Sequence, residues 1–199
     1  PSNEAVRQAV RESSQAMVND FRRLRTEVEQ IRNHVDARVQ GNMDELKSLA
    51  QGLAELNNKI RVAEIQGNDA NDLQDRRDMT IKKMNTIVDL NVTKDNHGMV
   101  NVDVRGVGPL VTGPNFESYH VGHAPAQPDG GAANSLQISR SPHATQYVTD
   151  HFKNGKMGAL IETRDKSISM VLDRLDQLAY EVSNSVNELH EKGFTADGR

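Results

Sequence analysis

The 199-residue chain contains no cysteine and no tryptophan, and only 4% of its residues are aromatic. Without cysteine it cannot form a disulfide scaffold, a thiolate metal site or a cysteine nucleophile. It shows no signal-peptide pattern and no apolar run near the roughly 18 residues that a membrane span requires. Its net charge of −4 gives no electrostatic basis for binding nucleic acid or anionic membranes. The hydrophobic content of 36% predicts a thin, aliphatic core.

Apolar residues recur at steps of three, four and seven through residues 2–66, which predicts one very long amphipathic helix. At the rise of an α-helix, some 65 residues form a rod of about 95 Å, which needs partner helices along its length. Val35 to Leu46 is a step of eleven residues, a stutter that locally unwinds a supercoil. The residues expected to pack against partners include Leu24, Ile31, Leu49, Leu53, Leu56 and Ile60.

Two further helices are predicted, over about residues 70–90 and 157–192. The first has Ile81 and Met84 on its apolar face. The second carries apolar residues at an unbroken spacing of seven, which is typical of a helix that packs against another long helix. These residues are Ile161, Ile168, Leu175, Val182 and Leu189. The simplest arrangement is a three-stranded antiparallel bundle of the two helices with the first one.

The period of the apolar pattern changes to two at Val100, Val102 and Val104, which predicts a half-buried strand. A turn over residues 95–98 pairs it with a strand at 90–93. Further short strands are expected at 110–112, 118–121 and 136–139, with a flexible loop over 125–133. Residues 145–152 fit either a strand or a short helix.

No catalytic, cofactor-binding or metal-binding residues are predicted. Only His120 and His123 have spacing near that of metal ligands, and no third ligand lies nearby, so solvated loop histidines are the favoured interpretation. Gly106 and Gly108 resemble the start of a phosphate-binding loop, but no helix follows to receive a phosphate. The sequence therefore predicts a protein that is not an enzyme.

The predicted fold is mainly α, a long antiparallel helical bundle or coiled coil with a small inserted β-region. Residues 1–91 and 154–193 are expected to form the helical rod domain, residues 92–153 the insertion of hairpins and loops, and residues 194–199 the start of a linker to an outer domain.

Three stretches resemble the flagellar hook-associated protein 1 family. The run NDLQDRRD, residues 71–78, is similar to the family's LLDQRD segment in its Leu73, Asp75, Arg77 and Asp78. The run GKMGALIETRD, residues 155–165, is similar to the glycine-rich start of the family's later helix and contains Gly158, Arg164 and Asp165. Asn187, His190 and Gly193 are similar to the family's closing pattern. Gln74 departs from the family, which prefers an apolar residue there, and residues 116–150 match nothing specific.

The resemblance implies a structural subunit of the bacterial flagellum that self-assembles into a tube at the junction between hook and filament. It implies a flagellin-like rod domain, export through the flagellar type III apparatus without a cleaved signal peptide, and an extracellular location. The implied neighbours are copies of the same protein, the hook protein and the second hook-associated protein. No cofactor, nucleic acid or membrane partner is implied.

Two alternatives stay open. One is another flagellar axial protein, either the second hook-associated protein or a flagellin-like one. The other is a generic coiled-coil interaction module, which explains the heptads but not the inserted β-region.

Two hypotheses concern packing. Arg77 and Arg164 interrupt apolar seams, so each is expected to meet a carboxylate on a neighbouring helix and fix its register. Because the three apolar seams are expected to cover one another, residues 1–199 alone are predicted to be monomeric.

Overall fold

The computed structural model describes residues 2–95, 98–123, 136–141 and 146–191 of the chain. The predicted long helix is present as α1, Ser2–Ile65, and is followed by α2, Asn71–Ile87. Within the described residues, six strands follow: β1 Leu90–Lys94, β2 Val100–Val104, β3 Gly108–Thr112, β4 Asn115–Phe116, β5 His120–His123 and β6 Leu136–Ser139. A 3₁₀ turn at Thr149–His151 precedes α3, Gly155–Glu162, a π-helical segment, Thr163–Ile168, and α4, Ser169–Glu191.

The chain forms two compact units. The terminal unit comprises Pro1–His34 and Arg164–Arg199, and the central unit comprises Val35–Thr163. One boundary lies within α1 and the other within the π-helical segment. The division into a helical rod domain and an insertion, near residues 91 and 154, stays a prediction. The fold is mainly α with a small antiparallel sheet, while a bundle along the whole of α1 stays a prediction.

The core of the central unit lies along one face of α1. That face is lined by residues at successive steps of four and three, so their side chains form one stripe. The buried members are Val35, Val39, Met43, Leu46, Ala50, Leu53 and Ile60. The two successive steps of four, from Val35 to Met43, account for the stutter inferred from the sequence.

Strands β1 to β4 form an antiparallel sheet in chain order, and β5 and β6 pair separately. The predicted hairpin is confirmed, since Leu90 pairs with Val104 and Lys94 with Val100. The valines of β2 are buried and the residues between them are half-buried, as the period of two predicts. Asp95 closes the turn by accepting a hydrogen bond on Oδ1 from the Met99 backbone N–H at 2.9 Å.

Three sequence predictions need correction. The strand expected at 118–121 is displaced to His120–His123, and β4 was not foreseen. Residues 146–151 form an isolated bridge at Tyr147 and the 3₁₀ turn, which a single strand or helix does not describe. The helix expected over 157–192 begins at Gly155 and contains the π-helical segment. A heptad count cannot show such a widened turn, because it assumes a constant helical period. All of the loop expected over 125–133 and all of 194–199 lie outside the described residues.

The start of α3 approaches α2 very closely. Gly155 has φ +71°, and a Cβ atom placed on it would lie 2.6 Å from the backbone oxygen of Ile87. Gly158 is equally restricted by the Lys153 backbone. Glycine is therefore required at both positions, because a side chain at either would collide with main-chain atoms that cannot move independently.

Candidate interaction surface

In the terminal unit, α1 and α4 each carry a set of half-buried apolar side chains. These are Phe21 and Val28 on α1, and Leu172, Leu175, Ala179 and Val182 on α4. Arg25 of α1 forms an ion pair with Asp176 of α4 and a second one with Glu29 on its own helix. All three side chains are about half exposed, so these pairs contribute little to stability, typically about 0–1 kcal/mol each.

A second set of apolar residues in this unit remains exposed. On α1 they repeat every seven residues, at Val10, Met17, Leu24 and Ile31, and are 36 to 61% exposed. We call these four residues the α1 outer stripe. On α4, Val171 and Leu178 have the same spacing and are about half exposed. Regular exposed apolar positions beside half-buried ones are typical of helices that meet more than one partner helix.

The expected packing of Leu24, Ile31 and Leu189 is therefore wrong. Leu24 and Ile31 are about half exposed, and Leu189, the last residue of the heptad series, is 72% exposed. The physical reason is that two helices cover only one side of each other. Phe21 and Val28, four residues beyond Met17 and Leu24, occupy the covered side instead. Since Leu24 and Ile31 are exposed, the apolar stripes do not all cover one another, which was the premise of the predicted monomer.

The remaining residues that were expected to pack are covered to different degrees. Leu53, Ile60, Met84, Ile161 and Ile168 are buried, whereas Leu49, Leu56, Ile81, Leu175 and Val182 are half-buried.

Arg77 is buried but does not make the expected contact. Its Nη1 donates a hydrogen bond to the backbone oxygen of Gly98 at 3.2 Å, and its Nε lies 4.0 Å from Asp78 on the same helix. Among the described residues it meets no carboxylate of a neighbouring helix, so that hypothesis is wrong for Arg77. What packs against α2 here is the β1–β2 turn, which offers a backbone carbonyl.

Arg164 is also buried, and its guanidinium is bonded to the adjacent Asp165, with Nε 2.6 Å from Oδ1 and Nη2 2.8 Å from Oδ2. Its contact with a carboxylate on a neighbouring helix stays a prediction. The other residues carried over from the family pattern differ in burial. Leu73 is half-buried, Gly158 is buried, and Asp75, Asp78, Asn187 and His190 are exposed. Gly193 lies outside the described residues.

Asn57 is a residue whose role sequence analysis missed. It is fully buried on α1, and its Nδ2 donates hydrogen bonds to the backbone oxygens of Val100 at 2.8 Å and Gly113 at 2.7 Å. Its Oδ1 accepts a bond from the Val100 N–H at 3.2 Å. Asn57 thus joins α1 to β2 and to the end of β3. The available indication was its position, four residues after Leu53 and three before Ile60, where the stripe calls for an apolar residue.

Asp89, just before β1, is the centre of a polar cluster. Its Oδ2 accepts hydrogen bonds from Arg105 Nε and Asn154 Nδ2, both at 3.0 Å. A cavity of about 250 Å³ adjoins these residues, with His151 and Lys153 on its wall. Among the described residues that line this cavity, Asp89 carries the single carboxylate, and its hydrogen bonds join β1 to the residue after β2 and to the start of α3, which is a structural role.

Within the described ranges, no group of three or more histidine, aspartate or glutamate residues could hold a metal ion. No helix of the described part is long and apolar enough to cross a membrane.

The fold and surface define a class: a mainly helical protein with a small antiparallel sheet and exposed heptad positions. Comparison with known proteins gives the family. The family model described as the flagellar hook-associated protein FlgK helical domain matches residues 1–199. The chain therefore belongs to the FlgK helical domain family.

Comparison with individual proteins supports the same family. The chain is 24% identical over 196 residues to flagellar hook-associated protein 1 of Salmonella typhimurium, covering 98% of this chain and 35% of the relative. It is 24% identical over 219 residues to the protein of that name from Bacillus subtilis, covering 99% of this chain and 43% of the relative. It thus spans less than half the length of these relatives.

A solved structure, the flagellar hook junction protein FlgK from Burkholderia pseudomallei, matches with a TM-score of 0.60 and 26% identity. The match covers 70% of this chain and 25% of that one. The resemblance noted from residues 71–78, 155–165 and 187–193 is confirmed at the level of the family.

Proposed function

We propose that the chain is part of a structural subunit of the bacterial flagellum, located outside the cell at the junction between hook and filament. The observation that carries this proposal is the match of the family model to the whole of residues 1–199. The named relatives are all hook-associated protein 1, which favours this protein over the second hook-associated protein and over flagellin.

Self-assembly is the mode of action that the surface supports. The α1 outer stripe presents apolar side chains on a long helix, and burial of apolar area is the main favourable contribution to association. Burying the exposed half of a leucine or isoleucine contributes about 1 kcal/mol. Several weak contacts repeated between subunits of a polymer add up through multivalency, although each would be too weak to hold an isolated pair. The proposed neighbours are copies of the same protein, the hook protein and the second hook-associated protein.

A chimera tests this function. Residues 1–199 replace the matching segment of hook-associated protein 1 in Escherichia coli, to which the chain is aligned over 98% of its length. In cells that lack their own copy, we expect the exported chimera to restore filaments and swimming. A chimera that is exported in full length, melts like the separate domain and still supports no filament would contradict the proposal.

A variant of the stripe tests the mode of action. Leu24→Lys with Ile31→Lys places two charges on the α1 outer stripe, and we expect filament assembly to fail while the chain still folds. The matched control is Gln30→Lys with Asn33→Lys, which adds the same charges at exposed polar positions of the same helix. Equal motility of the two chimeras would show that the stripe takes no part in assembly.

A further inference from the structure

Asn154 and Gly155 form the only Asn-Gly dipeptide in the chain. In an unrestrained chain this dipeptide is chemically labile, because glycine has no side chain to hinder attack of its own backbone nitrogen on the preceding asparagine side chain. The pair lies at the start of α3, where its backbone conformation and its contacts restrain it in three ways.

The first restraint is the backbone conformation. Asn154 has φ −125° and ψ 171°. At this ψ its Cα–Cβ bond is staggered relative to the nitrogen of Gly155, whereas ring closure between Cγ and that nitrogen requires the two to be eclipsed. The backbone oxygen of Asn154 also accepts the Gly158 N–H at 3.2 Å, so rotation about ψ breaks the first turn of α3.

The second restraint holds the side chain, and the third holds the glycine. The Asn154 amide donates from Nδ2 to Oδ2 of Asp89 at 3.0 Å. Gly155 lies against the Ile87 backbone, so closely that a Cβ there would be 2.6 Å from the Ile87 oxygen. The peptide between Asn154 and Gly155 therefore cannot turn toward the side chain without separating α3 from α2.

We propose that Asn154 is a deamidation site that the fold keeps closed, so that the modification marks chains in which the start of α3 has opened. The Gly155 nitrogen loses its proton and forms a bond to Cγ of Asn154, while the Cγ–Nδ2 bond breaks and ammonia leaves. Water then opens the resulting succinimide at one of its two carbonyl carbons, giving aspartate or isoaspartate. Water is the only co-reactant, and no oxidant or reductant is needed.

The product disfavours reclosure. Aspartate at this position faces the Asp89 carboxylate in place of the amide that donated to it, and two adjacent like charges repel. Isoaspartate adds a methylene to the main chain directly before Gly155, and so shifts a glycine that lies tightly against the Ile87 backbone. The modification is therefore expected to keep the start of α3 detached from β1 and α2.

The test is the deamidation rate of the complete chain at slightly alkaline pH. Peptide mapping by mass spectrometry should use a protease other than trypsin, because Lys153 and Lys156 flank the site. We expect residue 154 to deamidate at least about tenfold more slowly in the native chain than in concentrated guanidinium chloride, equivalent to an opening free energy of about 1.4 kcal/mol. Equal native and denatured rates would overturn the proposal.

Two variants examine the restraint itself. Asp89→Ala removes the acceptor of the Asn154 amide and is expected to raise the native rate severalfold. Arg105→Ala removes the other partner of Asp89, leaves the Asn154 bond in place, and is expected to keep the native rate low. Circular dichroism establishes that both variants are folded. If either variant unfolds, Asn154→Asp provides a second test. Its melting temperature should be lower than that of the wild-type chain at neutral pH. The difference between the two melting temperatures should become smaller near pH 4, where carboxyl groups become protonated. A folded Asp89→Ala variant with an unchanged rate, or an Asn154→Asp variant with an unchanged melting temperature, would overturn the proposal.

Discussion

Replacing Asn57 with alanine tests whether the helix and the sheet of the central unit are joined by this side chain. The substitution removes three hydrogen bonds, two to the oxygens of Val100 and Gly113 and one from the Val100 N–H. A net hydrogen bond contributes about 1 kcal/mol, and a buried polar group left without a partner costs about 1–3 kcal/mol. Including the small cavity, we expect a loss of about 3–5 kcal/mol in the free energy of unfolding.

The assay is denaturant unfolding followed by circular dichroism, with Asn58→Ala as the matched control. Asn58 is the next residue on the same helix, and it is exposed. Both substitutions gain the same helix propensity, so the difference between them isolates the buried hydrogen bonds. We expect the control to lie within about 0.5 kcal/mol of the wild-type chain. If the free energies of unfolding of the two variants differ by less than about 1 kcal/mol, the Asn57 side chain does not join α1 to the sheet.

A second substitution at this position should make the stability of the chain depend on pH. Asn57→Asp keeps an acceptor for the Val100 N–H but directs a carboxylate at two carbonyl oxygens. Burial raises the pKa of the introduced carboxyl group above the value of about 3.9 that it has in the unfolded chain. Stability is then greatest below the unfolded pKa and is lost as the pH rises through the folded pKa. The variant should therefore recover stability relative to wild type on acidification, and a constant difference between pH 4 and 7 would contradict this account.

Three further predictions concern Tyr119, Leu175 and the α1 outer stripe. Burial raises the pKa of Tyr119 well above its ordinary value, and its hydroxyl donates to the backbone oxygens of Gly108 and Pro109. Melting curves above about pH 10 should accordingly show a loss of stability in the wild-type chain that is smaller in Tyr119→Phe. Leu175→Asp should cost about 1–2 kcal/mol because Leu175 is half-buried, whereas Leu189→Asp, at a 72% exposed position, should change the melting temperature little. Residues 1–199 alone should sediment as a monomer at micromolar concentration, since the half-covered α1 outer stripe and exposed ion pairs are each weak. A salt-insensitive dimer that disappears in Leu24→Lys with Ile31→Lys would instead place the stripe in contact with a second copy.

Periodicity predicted the long helix and the central hairpin well because both are controlled by local patterns. The step of eleven residues after Val35 correctly indicated a change of phase, which Val39 and Met43 accommodate. Motif resemblance, and not periodicity, pointed to the family. It did so through residues whose roles are mainly structural, such as the Gly158 contact with the Lys153 backbone.

The errors arose where the outcome depends on neighbours distant in sequence. A heptad identifies the face of a helix that is apolar, but not how many helices cover it, so Leu24 and Leu189 were placed in a seam although they are exposed. Arg77 was assigned a carboxylate partner because a helix was expected opposite α2, whereas a turn lies there. Asn57 was not singled out, although it stands at a position of the stripe where an apolar residue is expected. A polar residue at such a position is better interpreted as having a buried partner.

The close approach of Gly155 to Ile87 has a consequence for the order of folding. The two residues are separated by the whole of the β-region, and contacts between distant residues form late because a long loop must first be closed. Helices α1 and α2 and the β1–β2 hairpin consist of local contacts and need no part of α3. For a chain that emerges amino terminus first, the central unit can therefore build its helices and hairpin in sequence. Docking of α3 onto the end of α2 is then the last of these steps.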